Sequence, residues 1–145
     1  MIGLKTYMDH SQGTYACLDL SKECKDRLFE FIQSHIKDTI PKEEYHCTIA
    51  YSRKPVPHIG YIQPQLPIIA QAKEYALFND EYFVLLLESN ELHQLHKQTN
   101  QAGATFDYNP YQPHVSLSNN HKDIKIPVPD FPLIFDSYKV EPLQD

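Results

Sequence analysis

Residues 14–20, TYACLDL, alternate apolar and polar positions in the manner of a half-buried strand. Leu28, Phe29, Ile32 and Ile36 then recur at helical spacing behind Ser21, which has the chemistry of an N-cap and is followed by Glu23 and Asp26 in the first turns. The pattern predicts a helix over 21–37, an interruption at Pro41, and a strand over 45–52, YHCTIAYS. A second passage has the same grammar. YFVLLLES at 82–89 reads as an apolar strand, NELHQLHKQTNQAG at 90–103 as a helix ending near Gly103, and HVSLS at 114–118 as a strand.

The two passages agree in register. Ser21 stands 25 residues before His46, and Ser89 stands 25 before His114. At the same offset Tyr15 falls on Phe83 and Leu18 on Leu86. A duplicated strand-helix-strand unit accounts for this agreement. Between the units, RKPVPHIGYIQPQLP (53–67) has the prolines and the lone Gly60 of a connection, and IIAQAKEYALF (68–78) has the two-residue period of another strand. FPLIFDSYKVEPLQ (131–144) predicts a last strand that would complete either unit. The expected fold class is α+β, with two pseudo-symmetric lobes of antiparallel sheet, helices outside and a central cleft. A chain of 145 residues suits one domain over 1–145, with lobes of about 14–52 and 82–119 plus the connecting and C-terminal strands.

Each unit ends in a motif that carries chemistry. Residues two apart on a strand share a face, so His46 lies beside Thr48, and His114 beside Ser116. Two such strands across a cleft bring together two imidazoles and two hydroxyls, which suits phosphodiester chemistry without a metal. A neutral imidazole takes a proton from an attacking hydroxyl while an imidazolium gives one to the leaving oxygen, and each hydroxyl holds a non-bridging phosphate oxygen. One His-x-Thr alone would more often be a satisfied strand histidine; the equal spacing of two is what raises the reading above chance.

Charge narrows the partner. The chain carries 13 Lys and Arg against 19 Asp and Glu, a net charge of −6, with no basic stripe to follow a long nucleic-acid backbone. An anionic ligand is therefore expected to be small and held by a few directed groups. Ten tyrosines and seven phenylalanines would suit base stacking, although most aromatics of a small domain fill its core. Cys17, Cys24 and Cys47 read as reduced, mostly buried thiols. Neither a signal peptide nor an apolar run of membrane-spanning length is visible, so the chain reads as soluble and intracellular, with no membrane partner.

HCTIAYS and HVSLSNN, each closing a strand-helix unit, resemble the two motifs of the 2H phosphoesterase superfamily, named for its paired His-x-Thr/Ser motifs. The length, the opening MIGLKTYMDHSQGTYACLDL and the motif contexts are similar, more narrowly, to a tailed-phage branch of 2H enzymes that destroys the cyclic nucleotide alarm signals of bacterial antiphage defence. This resemblance implies a phosphodiesterase without metal or other cofactor, acting on 3',5'-linked cyclic di- and trinucleotides such as cyclic GMP-AMP in the cytoplasm of an infected bacterium. It makes His46 and His114 the acid/base pair, in either order, and Thr48 and Ser116 the phosphate-oxygen donors.

For the bases, Tyr15 is the leading stacking candidate and Glu141 a candidate acceptor for a guanine edge, with Phe78, Tyr108 and Tyr111 as further aromatic candidates. His93 and His96, at i and i+3 on the second helix, read as an exposed face rather than as metal ligands, and His10, His35, His58 and His121 show no partners. Cys47, beside His46, points to the opposite side of its strand and is no nucleophile for it. Two other functions stay open: a 2H enzyme working on RNA ends, as a 2',3'-cyclic phosphodiesterase or a 2',5' RNA ligase, and a binding protein that sequesters cyclic nucleotides. A homo-oligomer is left open as well.

Overall fold

The structure, a computed structural model, describes residues 10–119 and 125–144; His121 lies outside them. The chain forms β1 (Thr14–Leu20), α1 (Lys22–Gln33), β2 (His46–Ser52), β3 (Ile68–Phe78), β4 (Tyr82–Glu88), α2 (Asn90–Gln101), β5 (His114–Ser118) and β6 (Leu133–Pro142). Short 3₁₀ turns at Lys42–Glu44 and Pro57–Tyr61 lie before and after β2. β1, α1 and β2 begin at Thr14, Lys22 and His46, and β4, α2 and β5 begin 68 residues later at Tyr82, Asn90 and His114.

Both helix starts are built as their sequences predict. Ser21 Oγ accepts from the Cys24 N–H at 3.2 Å, and Ser89 Oγ accepts from the Leu92 N–H at 3.3 Å. Each cap contributes about 1 kcal/mol by satisfying an otherwise orphaned donor. α1 ends at Gln33 and not at Lys37, because the Ser34 hydroxyl donates to the Phe31 carbonyl at 2.7 Å and closes the last turn. Ile36 is nonetheless buried in the core with Leu28 and Ile32. The full burial of Leu28 and of Ile32 stabilises the helix dock by about 2 kcal/mol apiece.

All six strands form one antiparallel sheet in the order β2-β1-β6-β3-β4-β5. The last strand completes both halves. β6 pairs with β1 from Thr14↔Pro142 to Leu20↔Phe135, and with β3 at Ile68↔Phe135 through Ala70↔Leu133. β3 turns into β4 through Asn79 and Asp80, both at positive φ, with the Glu81 N–H on the Phe78 carbonyl; Asn and Asp tolerate that conformation in a tight hairpin. One face of the sheet packs against the helices through Leu18, Ile49, Leu85 and Leu117. The other face carries the two motifs, and β2 and β5, the outermost strands of the order, approach each other there.

Candidate active site

The two motif strands are built alike down to a shared irregularity. His46 and Thr48 are half-buried while Cys47 is fully buried between them, and His114 and Ser116 flank a fully buried Val115 in the same way. In β2, Cys17 pairs with Thr48 but Ala16 pairs with Ala50, which leaves Ile49 as an extra residue. In β5, Val84 pairs with Ser116 but Phe83 pairs with Ser118, which leaves Leu117 as an extra residue. Each bulge therefore follows immediately on the hydroxyl residue. A bulge resets the two-residue alternation, and that reset returns Tyr51 to the face of Thr48.

Direct contacts join the strands. The Cys47 sulfur accepts from the main-chain N–H of His114, and Tyr111, three residues before His114, donates its hydroxyl to the Thr48 carbonyl at 2.7 Å. The imidazoles are then oriented in one way. His46 Nδ1 donates to the Glu44 carbonyl at 2.5 Å, and His114 Nδ1 donates to the Gln112 carbonyl at 2.8 Å. A carbonyl oxygen only accepts, so Nδ1 carries the proton in both rings and Nε2 is the nitrogen available for proton transfer.

Their surroundings differ. Burial, opposed by the Gln112 hydrogen bond and aided by the charge of His46, holds His114 below the ordinary imidazole value. Phe78 meets the His114 ring edge-on at 4.7 Å, and Leu86 is its cross-strand neighbour. The cross-strand neighbour of His46 is Asp19, which accepts from Lys139 at 2.8 Å and pairs with Lys25 at 3.3 Å. The second motif thus has an apolar flank and the first a charged one.

A pocket of about 550 Å³ opens on Thr48, His114 and Ser116. Phe78, Tyr108 and Tyr111 line it, as do Tyr51, Tyr82 and Phe106, which the sequence reading did not single out. Tyr108 is 59% exposed and meets the rings of Tyr51 and Phe106 edge-on, so it forms a wall of the pocket rather than part of the core. Asn79, Asn109 and Gln112 supply amide groups to the lining. The loop that carries residues 105–112 is tied to the end of β2: Thr105 Oγ1 accepts from the Arg53 N–H, and Arg53 pairs with Asp107 at 2.8 Å.

Tyr15 and Glu141 lie on the charged flank, outside that lining. The Tyr15 hydroxyl shares a 2.7 Å hydrogen bond with Thr48 Oγ1, and its ring meets those of His46 and Tyr51 edge-on at 6.2 and 6.3 Å. Burial drives its phenol well above the usual range, so it stays protonated. Glu141, exposed, is the residue opposite Tyr15 on β6.

Expectations for the histidines outside the motifs are overturned at His96, His10, His35 and His58. His93 is exposed, but His96 is buried: its ring stacks on Tyr111 at 4.0 Å, its Nδ1 donates to the Ile49 carbonyl at 2.7 Å, and its Nε2 accepts from Asn100 Nδ2 at 3.2 Å. The stripe Leu92, Leu95, His96 and Thr99 turns one face of α2 inward and carries the histidine with it. His10 and His58 also have partners, at Thr14 Oγ1 and the Ala102 carbonyl, and His35 meets Phe31 edge-on. The three thiols are free and buried, with Cys47 pushed up to about 11 and Cys17 to about 12 by desolvation, so neither is a nucleophile near neutrality.

Among the described residues no helix is long and apolar enough to cross a membrane. The solved structures similar to this chain include E. coli LigT complexed with 3'-AMP (TM-score 0.67, 14% identity, 89% of this chain and 86% of that one) and apo E. coli LigT (TM-score 0.63, 17% identity, 88% and 84%). At these identities the likeness shows the fold, which is that of the 2H phosphoesterases. Anti-CBASS protein Acb1 of Enterobacteria phage T4 is 30% identical over 146 residues, spanning 95% of this chain and 93% of its own length. That of Yersinia phage phiR1-RT is 28% identical over 144 residues, spanning 96% and 94%. The family model described as anti-CBASS protein Acb1 matches residues 12–145, and the chain belongs to that family.

Proposed function

We propose that the protein is a phage counter-defence phosphodiesterase that opens 3',5'-linked cyclic di- or trinucleotides, such as cyclic GMP-AMP, at the cleft between β2 and β5. The observation that carries this reading is the pair of motif strands that present their His-x-Thr/Ser residues in the same way. Each presents an imidazole with Nδ1 committed to a carbonyl and Nε2 available, and each places a hydroxyl two residues on. Membership of the anti-CBASS family supports the substrate class.

In this reading His114 is the base. Its lowered pKa keeps it neutral near pH 7, ready to take the proton from a ribose 2'-hydroxyl as that oxygen attacks the adjacent phosphorus. The bond from phosphorus to the 5'-oxygen breaks, and His46 as imidazolium gives its Nε2 proton to that oxygen. The products are a linear 5'-hydroxyl end and a 2',3'-cyclic phosphate, which water then opens with the histidine roles reversed. Thr48 and Ser116 hydrogen-bond the non-bridging oxygens as charge builds on them. The aromatic pocket beyond Ser116 holds one base by stacking, and Tyr15 with Glu141 lie where the opposite end of the ligand would reach.

Incubation of the purified protein with 3',3'-cyclic GMP-AMP in excess chelator, followed by chromatography of the denatured mixture, tests the substrate class. A linear product supports the reading. Intact cyclic nucleotide together with cleavage of RNA 2',3'-cyclic ends would contradict it, as would ligand retained uncleaved until denaturation.

A further inference from the structure

In a regular strand consecutive carbonyls point to opposite edges, yet at the β2 bulge those of Thr48 and Ile49 are both taken by side chains from the second half of the chain. Tyr111 donates its hydroxyl to the Thr48 carbonyl and His96 donates Nδ1–H to the Ile49 carbonyl, each at 2.7 Å. The two rings lie nearly parallel, 8° apart, and Phe106 meets His96 edge-on at 4.6 Å. Asn100 Nδ2 donates to His96 Nε2, so the ring is held neutral in one tautomer. Desolvation also favours that neutral form.

The equivalent bulge in β5 is held differently. The Leu117 carbonyl accepts from the main-chain N–H of Ile40 at 2.9 Å. The duplication is thus broken at this bulge as well, where the first motif has a side-chain pair and the second a backbone contact.

We propose that Tyr111 and His96 are positioning residues for Thr48, fixing the bulge from which its hydroxyl is presented to the phosphate. The inference rests on the reading of Thr48 as a phosphate-oxygen donor. Carbonyls left unpaired at a bulge would turn toward water and let the extra residue relax. A hydroxyl that must meet a developing charge tolerates displacements of only about half an ångström. Tyr15 already takes the other side of that hydroxyl, so the backbone beneath it is the remaining freedom.

The test uses Tyr111→Phe, which keeps the ring and its stack, together with His96→Leu and His96→Asn, the last placing an amide donor where Nδ1 stood. Each is measured on 3',3'-cyclic GMP-AMP in the wild-type and Thr48→Ala backgrounds. Tyr111→Phe and His96→Leu are expected to lower kcat about tenfold with KM within about twofold, and His96→Asn to recover most of the loss. In the Thr48→Ala background none of the three should lower kcat further. Equal fractional losses in both backgrounds would overturn the proposal and assign the effect to general packing.

Amide hydrogen exchange reads the same bulge without substrate. Protection at residues 48–51 should fall in Tyr111→Phe and His96→Leu while the core of α1 is unchanged. Unaltered protection overturns the proposal whether or not the wild type cleaves the nucleotide, whereas a wild type that fails to cleave while the exchange changes as expected counts against the functional reading alone.

Discussion

His46 and His114 are held by the same device, an Nδ1–H donated to the carbonyl two residues upstream, yet the charge of one lowers the pKa of the other. Removing that charge removes one of the two causes that depress His114. In His46→Gln the titration midpoint of the His114 ring, followed by NMR, should therefore move up toward the ordinary imidazole range. A midpoint that stays in place or falls would show that the two rings do not share a site.

The same asymmetry sets the pH dependence of turnover. A base must be deprotonated, so kcat/KM should rise with pH through the depressed pKa of His114, with a midpoint below the ordinary imidazole value of about 6.5. His114→Ala should abolish the rising limb along with the activity; a rising limb centred well above about 6.5 would count against His114 as base.

Tyr15 touches Thr48 through its hydroxyl and His46 through its ring edge, and substitution separates the two contacts. Tyr15→Phe keeps the ring and removes the bond to Thr48 Oγ1. Loss of one such bond is worth about 1 kcal/mol, so kcat should fall roughly fivefold with KM little changed. Steady-state kinetics check this, and a change confined to KM would place the hydroxyl on the base and not on Thr48.

Gly13, just before β1, has φ +128°, and a Cβ there would stand 2.1 Å from the Ser52 carbonyl at the end of β2. Gly13→Ala should cost about 2–4 kcal/mol in urea unfolding, since both the backbone conformation and the approach of the motif strand are lost. An unfolding midpoint equal to wild type would mean that β1 and β2 do not approach so closely in solution.

Much of the fold was legible because the duplication repeats local signals: serine caps, apolar helix stripes and a His-x-hydroxyl strand recur at one spacing. The place of β6 between β1 and β3 was not, since either half offers it an edge and only non-local pairing decides. The bulges were hidden for a related reason. Ile49 and Ala50 break the alternation visibly, but Leu117 and Ser118 look like an ordinary inward-outward pair although both are buried. Tyr51 was missed with them, because its return to the cleft depends on the bulge. His96 was legible and misjudged: Leu92, Leu95 and Thr99 mark the buried stripe to which it belongs.

The most direct measurement is single-turnover cleavage of 3',3'-cyclic GMP-AMP in excess chelator by wild type, His46→Ala and His114→Ala, with circular dichroism to confirm that each variant is folded. The account predicts a linear product from the wild type and a loss of at least about a hundredfold in each variant. Either variant folded and cleaving at close to the wild-type rate would contradict a site shared between β2 and β5.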